Sequence, residues 1–150
     1  MAGRITSPCV GVCSTTVGDS VCRGCQRTDD EILDWFSMTS AQREERIRQL
    51  DALREKVASR FLTVVNAELL AGQLQRHRVR VRAGQPPLSC AVELLRVGRR
   101  QIRDLSRYGL VAHQTGSIES LHERLSAALG EAGESRRCAA ARKSSRGVDC

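Results

Sequence analysis

The chain has 150 residues, 41% hydrophobic, 27% charged and only 3% aromatic, with seven Cys and a formal charge of +7. That length holds one domain with room for an appendage and excludes two or three full domains. Because the aromatics are Trp35, Phe36, Phe61 and Tyr108, the core must be filled by Leu, Val, Ile and Ala, which suits packed helices and argues against an all-β fold.

Residues 1–27 place Gly, Pro, Ser and Thr between cysteines without periodicity, and read as a loop held in shape by a bound ion or cluster. Thr28-Asp29-Asp30-Glu31 is a capping box that starts a short helix through about Phe36, with Ile32, Leu33, Trp35 and Phe36 as its apolar residues. Thr39-Ser40-Ala41-Gln42 repeats the start signal. Apolar residues then recur at Ile47, Leu50, Leu53, Val57, Phe61, Val64 and Leu69, predicting one long helix to about Leu74. From Arg76 the period changes to two: Arg76, Arg78, Arg80 and Arg82 alternate with His77, Val79 and Val81, the pattern of a strand with guanidinium groups along one face. Ser89 is expected to cap a helix through Val97. A second short helix through Arg107 turns Ile102 and Leu105 inward, Tyr108-Gly109 reads as a helix C-cap, and Ser117 starts a last helix bearing Ile118, Leu121, Leu125 and Leu129. Residues 131–150 are small, polar and basic, and are expected to be disordered.

No apolar run approaches the ~18–20 residues that cross a bilayer, and Met1 to Pro8 does not read as a secretory signal, so a cytoplasmic protein without a membrane partner is expected. In a reducing cytosol clustered cysteines point to metal or redox chemistry rather than to disulfides. Cys9, Cys13, Cys22 and Cys25 follow the pattern Cys-x3-Cys-x8-Cys-x2-Cys, whereas Cys90, Cys138 and Cys150 are scattered singly. Thiolates delivered as two close pairs from one loop can surround a tetrahedral zinc ion or ligate an iron–sulfur cluster, and the spacing leaves both open. Gly24 is expected to allow the tight turn that aims amides at sulfur, with Gly11 doing the same in the first pair, and Arg23 and Arg27 to offset thiolate charge. A thiol-redox pair is the competing reading, but no βαβ pattern surrounds it.

Ser7-Pro8-Cys9-Val10-x-Val12-Cys13, then Cys22-Arg23-Gly24-Cys25-x-Arg27-Thr28, then Glu31-Ile32, Trp35 and Met38-Thr39 resemble the YdhL-like family, small bacterial proteins of unknown function predicted to be iron–sulfur proteins. The resemblance covers about residues 7–54. It implies that Cys9, Cys13, Cys22 and Cys25 ligate a cluster and that Trp35 packs nearby.

The charge is divided. Residues 1–40 carry three basic groups against five acidic, residues 41–75 six against five, and residues 76–150 fifteen against seven. Arg76, Arg78, Arg80 and Arg82, with Arg96, Arg99, Arg100, Arg103 and Arg107, offer a surface for nucleic acid or an acidic protein. His77, His113 and His122 have no ligand-like spacing, Cys90 reads as a small buried apolar residue, and no catalytic triad, phosphate loop or carboxylate pair is present, so no enzyme nucleophile is supported. The expected architecture is mainly α: a metal-stabilised Cys module over residues 1–58, an Arg-rich, mainly helical extension over 59–130 with at most one short strand or hairpin, and a basic tail over 131–150. The expected function is a cytosolic iron–sulfur module for electron transfer, sensing or assisting a partner protein. The alternative is a structural zinc knuckle whose Arg-rich half binds nucleic acid or an acidic protein.

Overall fold

In the computed structural model, residues 6–11 and 13–143 are described. The fold is mainly helical, with, among the described residues, five α-helices, α1 (Asp29–Asp34), α2 (Ser40–Ala58), α3 (Ala67–Arg76), α4 (Pro87–Gly98) and α5 (Ile118–Lys143), and two short strands, β1 (Leu62–Val64) and β2 (Leu110–Ala112). No helix among the described residues is long and apolar enough to cross a membrane. The chain divides into two compact units, one of residues 1–53 with 129–150 and one of residues 54–128, so the boundaries fall inside α2 and α5.

In the first unit the local start signals act as expected. The Thr28 hydroxyl accepts from the Glu31 amide at 3.1 Å and the Glu31 carboxylate accepts from the Thr28 amide at 3.0 Å, completing the capping box of α1. Thr39 and Gln42 make the same reciprocal pair ahead of α2. Trp35, Ile47 and Leu50 are buried, as are Cys22 and Cys25. The tail expected to be disordered from residue 131 is instead helical through Lys143, while residues 144–150, with Cys150, lie outside the described residues. The reason is packing that an apolar period does not reveal. Gly133 lies so close to Val21 that a Cβ there would collide with its side chain, Cys138 is buried, and Arg136 forks onto Glu31 at 2.5 and 2.6 Å.

The second unit departs from the single long helix expected to Leu74. Helix α2 stops at Ala58, β1 follows, and Asn66 caps α3 by accepting from the Leu69 amide at 3.0 Å. The β-branched run Thr63-Val64-Val65 favours extended backbone, and β1 pairs antiparallel with β2 in the register Leu62↔Ala112, Thr63↔Val111, Val64↔Leu110. Leu62 and Leu110 turn inward, joining Leu70, Leu74, Leu94, Leu95, Leu121 and Leu125 in the core. The strand expected at Arg76–Arg82 is absent. Arg76 ends α3, and the chain turns through Arg78 in a left-handed conformation (φ 54°), where no strand can continue. Helix α4 begins at Pro87, with Ser89 buried in its first turns rather than capping it. The short helix expected before Arg107 is reduced to a 3-10 turn, Leu105–Tyr108, which closes on Gly109 as the expected C-cap (φ 71°).

Gly109 answers two demands at once. Its φ is left-handed, and a Cβ would collide with the Asn66 carbonyl, while its own carbonyl accepts from Val65 and Asn66 at 2.8 and 3.2 Å. Gly109→Ala is therefore expected to cost about 1–3 kcal/mol, read as a lower urea midpoint with an unchanged slope; an unchanged midpoint would contradict the close approach.

Candidate metal centre

The Cys22–Cys25 pair sits on a turn that the backbone defines closely. Val21 and Thr28 form an antiparallel bridge, the Cys22 amide donates to the Arg27 carbonyl at 2.8 Å, and the Gln26 amide donates back to the Cys22 carbonyl at 2.8 Å. The left-handed residue of this turn is Gln26 (φ 61°), not Gly24. Gln26 is buried, and its side-chain amide donates to the Arg23 carbonyl at 2.9 Å, which compensates for the strained backbone. Because the bridge ends at Thr28, the turn also sets where the capping box of α1 starts.

Both sulfurs are buried, each residue being 1% exposed. The Cys25 thiol donates to the Cys22 sulfur, and backbone amides of Cys25, Ser14 and Gly24 point at the same sulfur; against the opposing pull of burial, these hold the Cys22 thiol down at about 4. Cys25 is pushed up by that same hydrogen bond and by burial, with Arg27 pulling the other way. The two thiols therefore titrate as a coupled pair, Cys22 being the more acidic of the two. Arg27 is buried and its Nε donates to the Cys25 sulfur at 3.3 Å, so of the two arginines expected beside sulfur it is the one placed there. Arg23 is exposed and pairs with Asp19 at 3.0 Å.

Trp35 lies close by, as the resemblance implied. It is 2% exposed, the Arg27 guanidinium stacks over its ring at 4.8 Å, and its Nε1 donates to the Thr6 carbonyl at 3.0 Å. The indole thus fixes Arg27 against Cys25 from one side and ties down the segment that enters the cysteine loop from the other.

The first pair of cysteines is less gathered. Cys9 is exposed, and its sulfur accepts from the Gly11 amide at 3.4 Å. Gly11, in a left-handed conformation (φ 92°), supplies that amide as expected. Cys13 is half-buried and hydrogen-bonded to the Thr15 hydroxyl at 2.9 Å. It stands beside the second pair, because the next residue, Ser14, aims its amide at the Cys22 sulfur and accepts from the Arg23 amide at 2.8 Å. Among the described residues no three His, Cys, Asp or Glu are arranged to hold a metal ion. The buried sulfurs, convergent amides and guanidinium of the second pair suit a thiophilic metal, while Cys13 and Cys9 are both still to be brought in.

Glu31 links this site to the end of the chain. Besides capping α1, its carboxylate accepts the Arg136 fork and faces Arg46 at 3.3 Å, while Arg136 also donates to Gln49 at 3.0 Å. Sequence reasoning missed Arg136, since nothing local signals a partner so distant in the chain. Of the remaining sequence candidates, Arg99 and Arg100 lie near Glu119 at 3.7 and 3.8 Å, and Arg76, Arg78, Arg80 and Arg103 are exposed in the second unit.

A model of a protein family of unknown function, DUF1289, matches residues 7–54, the span that contains all four clustered cysteines and Trp35. No curated protein and no solved structure matches the chain.

Burial alone would raise the Glu31 carboxyl; the Arg136 fork, the Thr28 amide and the charge of Arg46 outweigh it and hold the group below its ordinary value of 4.5. A depressed carboxyl contributes stability that is fully present above the unfolded value and lost as pH falls through the folded one. Arg136→Ala should therefore cost about 2–4 kcal/mol at neutral pH, since it strands a mostly desolvated carboxylate, and much less at pH well below 4.5. Urea midpoints at the two pH values check this; an equal loss at both would show that the pair is not the source.

Proposed function

We propose that residues 7–54 form a thiolate metal centre in a cytoplasmic protein, with Cys9, Cys13, Cys22 and Cys25 as ligands and an iron–sulfur cluster as the occupant. The observation that carries this reading is the buried Cys22–Cys25 pair, whose Cys22 sulfur faces the Cys25 thiol and backbone amides from two separate segments while Arg27 donates to the Cys25 sulfur. A buried sulfur anion is expensive in a chain that gains nothing from it, whereas amides and a guanidinium around metal-bound sulfur set both ligand geometry and the charge of the centre. The resemblance of these residues to the YdhL-like proteins, predicted to carry clusters, supports the same choice.

Each residue has a definite task. Cys22 and Cys25 hold the metal from the Val21–Thr28 turn, Arg27 balances charge at Cys25, and Trp35 covers Arg27 and keeps water from that side. Cys13 and Cys9 complete the set from the preceding segment, with the Gly11 amide oriented to sulfur. A bound cluster would supply one-electron chemistry or a ligand-sensitive switch, which suits electron transfer, sensing or assistance to a partner protein rather than catalysis by this chain's own side chains. A single zinc ion is the second reading, favoured by the two-residue gap and tight backbone turn of Cys22–Cys25, a geometry that structural zinc sites share.

Anaerobic purification followed by iron, acid-labile sulfide and zinc analysis distinguishes the two. The cluster reading predicts a brown protein with matching iron and sulfide and visible charge-transfer bands, and loss of both iron and sulfide in Cys22→Ser and Cys25→Ser. A colourless chain holding stoichiometric zinc supports the second reading and contradicts the first, and a chain that holds neither contradicts both.

A further inference from the structure

The net positive charge belongs entirely to one unit. Residues 54–128 carry thirteen basic groups against six acidic, whereas the remainder carries eleven of each. Within that unit, Arg96 is committed to Glu93 and Arg99 and Arg100 face Glu119. Among the described residues no ion pair involves Arg76, Arg78, Arg80 or Arg103, all of which are exposed.

The fold brings together two rings whose chain neighbours are arginines. The Gln73 side-chain amide donates to the Arg107 carbonyl at 3.0 Å, fastening the 3-10 turn Leu105–Tyr108 to α3. His77 and Tyr108 then meet with ring centroids 5.9 Å apart and planes tilted by 34°. Arg76 and Arg78 flank His77 in the chain and Arg107 precedes Tyr108, with Arg103 and Asp104 just ahead of the 3-10 turn. The arginine segment is anchored at both ends: the Val79 amide donates to the Leu74 carbonyl at 2.9 Å, and the Arg82 amide donates to the Gln85 side chain at 2.9 Å, which in turn donates to Ser89. Arg78 and Arg80 are thus presented from a held loop, not from a strand.

We propose that this face, Arg76 to Arg80 with Arg103, Arg107, His77 and Tyr108, binds single-stranded nucleic acid, independently of the metal centre. Guanidinium forks take phosphate oxygens in pairs, and the exposed His77 ring, with the half-buried Tyr108 ring against it, offers a stacking surface that only an unpaired base can use. An acidic protein has no use for that ring pair. A duplex is disfavoured because the face is a loop and a single turn, with no helix or ribbon to enter a groove.

The test is fluorescence anisotropy of the full chain with a short labelled oligouridine, the corresponding oligodeoxythymidine and a duplex, with polyglutamate as competitor. Saturable binding of either single strand is expected, stronger than that of the duplex, and about fiftyfold weaker at 200 than at 50 mM salt if roughly four phosphates are neutralised. Arg78→Asn with Arg80→Gln should weaken binding at least tenfold, Asn being chosen because it tolerates the left-handed backbone at residue 78. Tyr108→Leu should weaken single-strand binding by about tenfold and leave duplex binding unchanged. Arg124→Gln, which removes one charge outside the face just as Arg80→Gln removes one within it, should change little. Should the double variant fail to fold, Arg80→Gln alone is expected to weaken binding about threefold. Absence of saturable binding at low salt, preference for the duplex, displacement by polyglutamate at equal charge, or equal weakening by Arg124→Gln would each overturn the proposal.

Discussion

The first unit depends on giving two sulfurs, buried out of water, the hydrogen-bond donors they need. Cys22 is buried, and its sulfur is met by the Cys25 thiol and by the amides of Cys25, Ser14 and Gly24, while Arg27 stands beside its partner Cys25. That requirement propagates. Arg27 must itself be held, which Trp35 does by stacking, and Trp35 is positioned by α1, whose first residue follows from the end of the same turn. Glu31, fixed by the cap, then becomes the anchor for Arg136 and so for the last turns of α5. Sulfur electrostatics, helix start and chain end form one connected arrangement.

Much of this was legible where the determinants are local. The capping boxes at Thr28 and Thr39 need only four consecutive residues, and both are present as read. The Cys-x2-Cys spacing announces a turn with two sulfurs on it, and Gly109 ends its 3-10 turn as its sequence suggests. What the spacing did not reveal is which residue bears the strain. Gly24 was the natural candidate, yet Gln26 takes the left-handed backbone, and it is held there by its side chain rather than by lacking one.

The misread segments share one cause, dependence on partners far away in the chain. The stripe from Ile47 to Leu69 keeps helical spacing across a break that Thr63-Val64-Val65 and the cap at Asn66 do mark, but β1 exists only because residues 110–112 return to pair with it. The alternating arginines have the period of a strand and no neighbour to pair with, so the segment turns at Arg78. Residues 131–143 lack an apolar period because part of their packing is a glycine against Val21 and a guanidinium against Glu31. Composition alone reads such a segment as solvated.

The division of charge gives the two units different chemical characters, one neutral and built around sulfur, the other strongly basic. X-ray absorption at the metal edge of anaerobically purified protein tests the metal centre proposed in the first unit most directly. A cluster held by Cys9, Cys13, Cys22 and Cys25 predicts an iron edge, a first shell of sulfur alone and a second shell of iron. A shell containing nitrogen or oxygen, or a metal with no metal neighbour, would contradict it.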